Sequence, residues 1–144
     1  MVQQDILEAV ADENMKVYVV WTPVLQEDNR QAAAEMMRLI PDSRAVHFWD
    51  EDKSLGFLLG TTVTLPRGRD LAWDVYFAFD ATAKWGDVPP QPANWMHQLG
   101  LDERTLDGDT LRAAVVKLLE PSSETISPPR RLRFIPQKPF EHVF

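Results

Sequence analysis

The spacing of apolar residues changes repeatedly along the first 120 residues. Continuous or alternating apolar runs predict strands at residues 17–21 and 71–79, and weaker runs predict short strands at residues 45–49 and 94–99. Helical spacing predicts one helix near residues 2–10. It also predicts three further helices, each of which begins after a capping side chain. The candidate caps are Asp28 or Asn29 for the first of these helices, Asp50 or Asp52 for the second, and Asp107 or Asp109 for the third. Strands that alternate with helices predict an α/β domain with helices on both faces of a mixed sheet.

The strand at residues 17–21 is apolar at every position, in the order Val-Tyr-Val-Val-Trp. Such a run is typical of a strand that is covered on both faces. The strand at residues 71–79 instead alternates, with Trp73, Val75, Phe77 and Phe79 on one face. These two runs are the strongest strand predictions in the chain.

The last 24 residues have a different composition from the rest of the chain. They contain five of the 11 prolines and carry a net charge of +2. Because the whole chain carries −7, residues 1–120 carry −9. Basic and proline-rich sequence is typical of a mobile arm or of an arm that packs on its own domain. We therefore expect a domain over residues 1–120 and a docked or mobile tail over residues 121–144.

The net charge and the hydropathy of the chain limit the kinds of partner and the cellular location that are expected for it. A net charge of −7 disfavours nucleic acid, whose phosphates need a basic surface. No apolar stretch approaches the roughly 18 residues of a membrane span, and the first residues lack the basic and apolar regions of a signal peptide. A cytoplasmic protein without a membrane or nucleic-acid partner is the expectation.

The chain contains no cysteine, so it has no disulfide, no catalytic thiolate and no cysteine-bound metal. A Gly-x-Ser-x-Gly nucleophile motif and a Walker phosphate loop are also absent from the sequence. The chain as written is therefore not expected to be an enzyme or to hold a cofactor.

Several blocks of sequence together resemble one family. They are Val17-Tyr18-Val19-Val20-Trp21-Thr22-Pro23-Val24-Leu25 with Glu27-Asp28-Asn29, His47-Phe48-Trp49-Asp50, Ala72-Trp73-Asp74-Val75-Tyr76, and Pro89-Pro90-Gln91-Pro92-Ala93 with Trp95-Met96-His97-Gln98-Leu99. Over residues 5–119 the chain resembles a bacterial branch of the thioredoxin-like superfamily. The tail does not take part in this likeness.

The resemblance implies a three-layer sandwich built in the order strand, helix, strand, helix, strand, strand, helix. It also implies that the chain starts inside the first helix and lacks the N-terminal strand and the Cys-x-x-Cys motif. That first strand would lie between the strands at residues 17–21 and 71–79. Three ways to fill its position remain open: a start further upstream, the tail segment at residues 131–135, or a second chain.

Four side chains are the candidates for a binding site. Asp74 lies within a predicted strand, where burial would raise its pKa, although a structural hydrogen bond is the simpler role. His97 carries an imidazole, the side chain most often used as a general acid or base, but the simpler role is to anchor a loop. Trp85 and Trp95 flank a proline-rich loop and are candidates for a recognition surface, with loop packing as the alternative.

His47 and Asp50 offer the nitrogen and oxygen donors that divalent metals use. Acidic residues also collect at helix N-termini because of the helix dipole, and no metal site is predicted at these two residues.

The function expected from these observations is that of a non-catalytic thioredoxin-like domain, redox-inactive, which binds a protein partner or forms a homo-oligomer. The alternative is the C-terminal part of a thiol or selenol oxidoreductase whose Cys-x-x-Cys or selenocysteine motif lies upstream of Met1.

Overall fold

The computed structural model describes residues 1–120, and the prediction of a docked or mobile tail lies outside the described residues. The described part is a mixed α/β structure. It begins with a short π-helical turn, Val2–Leu7. The elements that follow are β1 (Val17–Trp21), α1 (Arg30–Met36) with a 3-10 turn (Met37–Leu39), β2 (Ala45–Trp49), α2 (Ser54–Gly60), a 3-10 turn (Pro66–Gly68), β3 (Val75–Ala78), β4 (Asn94–His97) and α3 (Gly108–Leu119).

Within residues 1–120 the four strands form two separate sheets of two strands each. β1 and β2 are parallel, with Val17 opposite Ala45. β3 and β4 are antiparallel, with Val75 opposite His97. The α/β class is confirmed, but the single mixed sheet expected from the sequence is not formed by the described residues alone.

One hydrophobic cluster lies against both sheets. Its buried members are Ile6, Leu7, Val10, Met15, Met96 and Leu111. Val17 of β1, Ala45 of β2, Tyr76 of β3 and Leu119 of α3 pack around this cluster. The N-terminal turn, both strand pairs and the end of α3 therefore share a core.

The prediction that residues 71–79 form one strand is wrong, because β3 covers only Val75–Ala78. Asp74 has a φ of +51°, in the left-handed region, so the chain turns immediately before β3. Before that turn, the N–H of Ala72 donates to the carbonyl of Gly56 at 3.0 Å, which ties the segment to α2. β4 is also shorter than predicted, because it ends at His97, and the N–H of Leu99 donates to the ring of that histidine.

The prediction that β1 is covered on both faces is also wrong for the described residues. Val17 packs against the core, whereas Tyr18 on the opposite face is 65% exposed. Its ring centroid lies 6.2 Å from that of Phe48, which is 48% exposed. The outer face of the β1–β2 sheet is thus an exposed apolar surface.

The predicted caps are confirmed for α1 and α3, whereas α2 begins after Lys53, whose side chain makes no capping hydrogen bond, and not directly after Asp50 or Asp52. Asn29 caps α1, accepting the N–H of Ala32, while the carboxylate of Asp28 accepts the N–H groups of Val24 and Leu25. Asp107 caps α3. None of the helices within residues 1–120 has the length and apolar character that a membrane crossing requires.

Candidate functional site

His97 is fully buried at the end of β4 and organises the loop that follows. Its Nδ1 accepts the N–H of Leu99 at 3.1 Å, and its Nε2 lies 3.1 Å from the carboxylate of Asp102. Its backbone N–H donates to the backbone carbonyl of Arg104, and its own carbonyl accepts the backbone N–H of Leu106. The four interactions fold residues 98–106 back onto β4, so His97 anchors this loop.

The ring of His97 has no nitrogen left for a substrate. Because Nδ1 accepts a hydrogen bond from a backbone N–H, the ring proton is assigned to Nε2, which donates it to Asp102. A general base needs an accepting nitrogen that points at its substrate. In this arrangement both ring nitrogens of His97 hold the loop.

An open cleft of about 660 Å³ lies beside this loop. The guanidinium of Arg104 lies over the ring of Trp95, 5.1 Å from its centroid, as a cation–π contact. The sequence analysis missed Arg104 and its acidic neighbours, because they join the cleft only when the loop folds back. The lining residues are Thr64, Pro66, Trp95, His97, Asp102, Glu103 and Arg104.

An aromatic row runs along the outer face of the β3–β4 sheet, opposite the core. Phe77 lies opposite Trp95 in the strand register and stacks on Phe79 with a centroid distance of 6.2 Å. The ring of Phe79 meets that of Trp85 edge-on at 4.9 Å. The row therefore connects the candidates Trp85 and Trp95, and Trp85 at its end is 58% exposed.

Asp74 lies apart from the cleft, at the turn that precedes β3. Partial burial raises the pKa of its carboxyl, and the charge of Asp28 raises it further. Burial likewise raises the pKa of Tyr76, whose hydroxyl donates to the side chain of Gln98 at 2.9 Å. Within residues 1–120 no ion pair includes Asp74 or Asp28.

The metal candidates His47 and Asp50 are engaged in other contacts. His47 Nδ1 accepts the indole N–H of Trp21, and its Nε2 lies 3.2 Å from the carbonyl of Ile40. The carboxylate of Asp50 accepts the N–H groups of Leu55 and Gly56 at the start of α2. The part of the chain that the structure describes contains no cluster of three or more histidine or acidic residues that would hold a metal.

Within residues 1–120, β1 pairs through only one of its edges. The N–H of Val17 donates to the backbone carbonyl of Arg44, and the carbonyl of Trp21 accepts the backbone N–H of Asp50. Because alternate residues of a parallel strand direct their backbone groups to the same side, those of residues 17, 19 and 21 point toward β2. Those of Tyr18 and Val20 point away. No backbone hydrogen bond to another part of residues 1–120 occupies them.

The same alternation leaves one edge of β3 free. The carbonyl of Asp74 accepts the backbone N–H of Gln98. Because hydrogen-bonded pairs occur at every second residue of an antiparallel ladder, residues 74, 76 and 78 direct their backbone groups toward β4. The N–H and C=O groups of Val75 and Phe77 therefore face away from β4, and nothing within residues 1–120 pairs with them. We refer to these groups of β1 and β3 as the two free edges.

The described surface thus offers aromatic rings, a mixed-charge cleft and unpaired strand backbone. Comparison with known proteins found no family model, no curated protein and no solved structure that matches this chain.

Proposed function

We propose that this chain is a non-catalytic thioredoxin-like domain that binds protein by adding a strand between β1 and β3. The observation that carries the proposal is the pair of free edges, at Tyr18 and Val20 and at Val75 and Phe77, on two sheets that share one core. Unpaired strand edges beside apolar side chains readily accept another strand. The bound strand comes from a protein partner or from this chain in a self-assembled form.

The order of the elements supports the thioredoxin-like part of the proposal. A parallel pair, β1 and β2, is followed by an antiparallel pair, β3 and β4, and then by the terminal helix α3. One strand added between β1 and β3 would join the two pairs into a five-stranded mixed sheet. That strand would take the position that the resemblance assigns to the missing first strand.

Exposed apolar side chains near these elements support the binding role. Tyr18 and Phe48 on the outer face of β1–β2 and Trp85 at the end of the aromatic row are each about half exposed or more. Aromatic side chains contribute most of the affinity in many protein interfaces because they bury a large area at a small entropic cost.

A non-catalytic role agrees with the chemistry of the described groups. The chain has no cysteine, and both ring nitrogens of His97 are used to hold a loop. Asp102, the carboxylate beside His97, is occupied by the same loop, since it also accepts the backbone N–H of Arg104.

The test is amide hydrogen exchange of the full chain, combined with its mass in solution over a range of concentrations. Slow exchange at Tyr18, Val20, Val75 and Phe77 supports the proposal, because those amides exchange slowly only if another strand covers them. Fast exchange there at every concentration, with slow exchange retained at Val19, overturns self-assembly and leaves a separate protein partner as the source of the strand.

A matched pair of variants checks that strand pairing is the cause. Val20→Pro removes one N–H from the free edge but leaves the β2-facing groups of β1 in place, whereas Val20→Thr keeps the N–H and the branched side chain. The proposal predicts weaker protection of β1 and β3 in the proline variant alone. Equal protection in both variants contradicts it.

A second candidate is the C-terminal part of a thiol or selenol oxidoreductase with its motif upstream of Met1. The two free edges favour it as well, because a strand from upstream would fill the same position. The reading frame before Met1 distinguishes the two: a Cys-x-x-Cys or selenocysteine codon there supports the redox candidate, and in-frame stop codons without such a motif support the binding domain.

A further inference from the structure

The two free edges set clear requirements for the strand that joins them. β1 has five residues and β3 has four, so the strand needs about that length. One of its faces must be apolar, since it would lie over the core beside Val17 and Tyr76. The other face would lie on the side of Tyr18, which is exposed, and can carry charge.

One short segment of the chain outside the described residues meets these requirements. Its sequence, Arg130-Arg131-Leu132-Arg133-Phe134-Ile135, lies between Pro129 and Pro136. Strand alternation places Leu132 and Phe134 on one face and Arg131 and Arg133 on the other. Prolines on both sides limit the segment to six residues, because proline cannot donate to a sheet ladder.

The segment is also within reach. Leu119 at the end of α3 packs against the same core as Val17 and Tyr76. Residues 121–130 span up to roughly 33 Å when extended, which exceeds the radius of gyration of roughly 14 Å expected for a 120-residue domain. The tether also keeps the segment at a millimolar effective concentration, which favours docking on its own domain over exchange with a second copy.

Charge favours the same occupant. The described domain carries −9, and residues 121–144 carry +2. Asp28 lies in the loop that follows β1, Asp74 directly precedes β3, and within residues 1–120 neither carboxylate forms an ion pair. The arginines of the segment supply the opposite charge.

We propose that residues 130–135 dock in cis as the strand between β1 and β3, with Leu132 and Phe134 facing the core. The inference rests on the proposed function and names the ligand of the same site. The chain then carries its own competitor: a partner strand has to displace the segment, and it has to resemble the segment, with basic and apolar residues in alternation.

Hydrogen exchange of the full chain tests the segment directly. Phe134→Asp places a charge on the apolar face of the segment, and Phe140→Asp places the same charge on a tail residue outside it. We expect exchange at the amides of Tyr18, Val20, Val75 and Phe77 to become about tenfold faster or more in F134D and to stay unchanged in F140D. Both substitutions lie outside the described domain, and unchanged protection of α3 confirms that the domain is folded.

Covalent trapping provides the second readout, and the absence of native cysteines gives it a clean background. Tyr18→Cys combined with Arg133→Cys places both thiols on the face opposite the core, and Tyr18→Cys combined with Glu141→Cys is the control. A disulfide within one chain, formed only by the first pair, supports docking in cis. Disulfide-linked dimers overturn it, because a second copy then supplies the strand.

The two proposals fail in different ways. Protection of the free edges that persists in F134D overturns the role of the segment but leaves strand addition by another occupant standing. Fast exchange of those amides in the wild-type chain overturns docking in cis and self-assembly, and leaves the strand of a separate protein partner as the occupant of the free edges.

Discussion

Asp42 holds the guanidinium of Arg44 through two parallel hydrogen bonds, 2.9 Å from Nε to Oδ1 and 2.7 Å from Nη2 to Oδ2. The remaining N–H groups of Arg44 donate to the backbone carbonyls of Leu7, Val10 and Asp12. These carbonyls end the N-terminal turn, and Arg44 itself is only 7% exposed. One arginine therefore connects the N-terminal turn to the start of β2, with Asp42 fixing its orientation.

Replacing Arg44 should loosen this connection. Arg44→Met keeps much of the side-chain volume but takes the guanidinium donors away from the carbonyls of Leu7 and Val10, which is costly for buried polar groups. Asp42 then keeps only the backbone N–H of residue 44, and the carbonyl of Asp12 keeps the N–H of Met15. We expect the melting temperature to fall by roughly 5–10 °C. Arg38→Met is the control, because Arg38 is exposed and within residues 1–120 forms no ion pair. Equal melting temperatures of the two variants would contradict the role of Arg44.

Asp42 should also account for part of the acid sensitivity of the fold. The hydrogen bond from Arg44 lowers the pKa of Asp42 from 3.8 to about 2. A carboxyl whose pKa is lower in the folded state stabilises the fold above its unfolded pKa, and this stabilisation is lost as the pH falls from 3.8 toward about 2. Asp42→Asn removes the effect.

Thermal melts of the wild type and Asp42→Asn across this pH range provide the measurement. We expect a difference in melting temperature that is largest at neutral pH and closes as Asp42 becomes protonated. Asp87→Asn is the control for the loss of one exposed negative charge. A difference that stays constant down to about pH 2 would show that Asp42 acts through its shape alone.

Much of the fold could be predicted because the residues within each element themselves favour its secondary structure. β1 and β2 have the predicted boundaries, since each is a continuous apolar or aromatic run. The caps at Asn29 and Asp107 were also among the predicted alternatives. β3 was predicted too long because Ala72 is tied to Gly56 and Asp74 takes a left-handed backbone, and both are tertiary effects.

The candidate site could be predicted only in part for a similar reason. Aromatic and titratable side chains such as Trp95 and His97 stand out in the sequence. Asp102 and Arg104 do not, since they reach the cleft through the loop that His97 anchors. The free edges are harder still to predict, because a hydrophobic pattern gives the face of a side chain but not which backbone groups pair with a neighbouring strand.

His97 should be important for the stability of the fold. His97→Ala leaves a cavity and an unpaired N–H at Leu99, and it removes the donor that holds Asp102. We expect the free energy of unfolding to fall by about 2–4 kcal/mol. Denaturant unfolding measures this change.

His97→Asn is the matched variant, because its side-chain oxygen can still accept the N–H of Leu99 while the contact with Asp102 is lost. It should have a stability between that of the wild type and that of His97→Ala. If His97→Ala unfolds at the same denaturant concentration as the wild type, the loop does not depend on this ring.

Gly60 allows a close approach between α2 and the segment before β3. A Cβ atom at this position would lie 1.9 Å from the backbone oxygen of Asp70 and 2.9 Å from its carbonyl carbon, so one of the two backbones would have to move. Although alanine is the better helix former, we expect Gly60→Ala to destabilise the fold by about 2 kcal/mol or more.

Gly86→Ala is the control for Gly60→Ala, because no other atom lies within 4 Å of a Cβ built at Gly86. Removing the glycine there also restricts the unfolded chain, so stability should be unchanged or higher by about 0.5 kcal/mol. Denaturant unfolding of the two variants separates the steric effect from the general effect of replacing glycine. Since Ala72 of the same segment hydrogen-bonds to Gly56, a shift at Gly60 should also speed amide exchange at Ala72. Unaltered exchange at Ala72 together with wild-type stability would mean that α2 and this segment are not in close contact in solution.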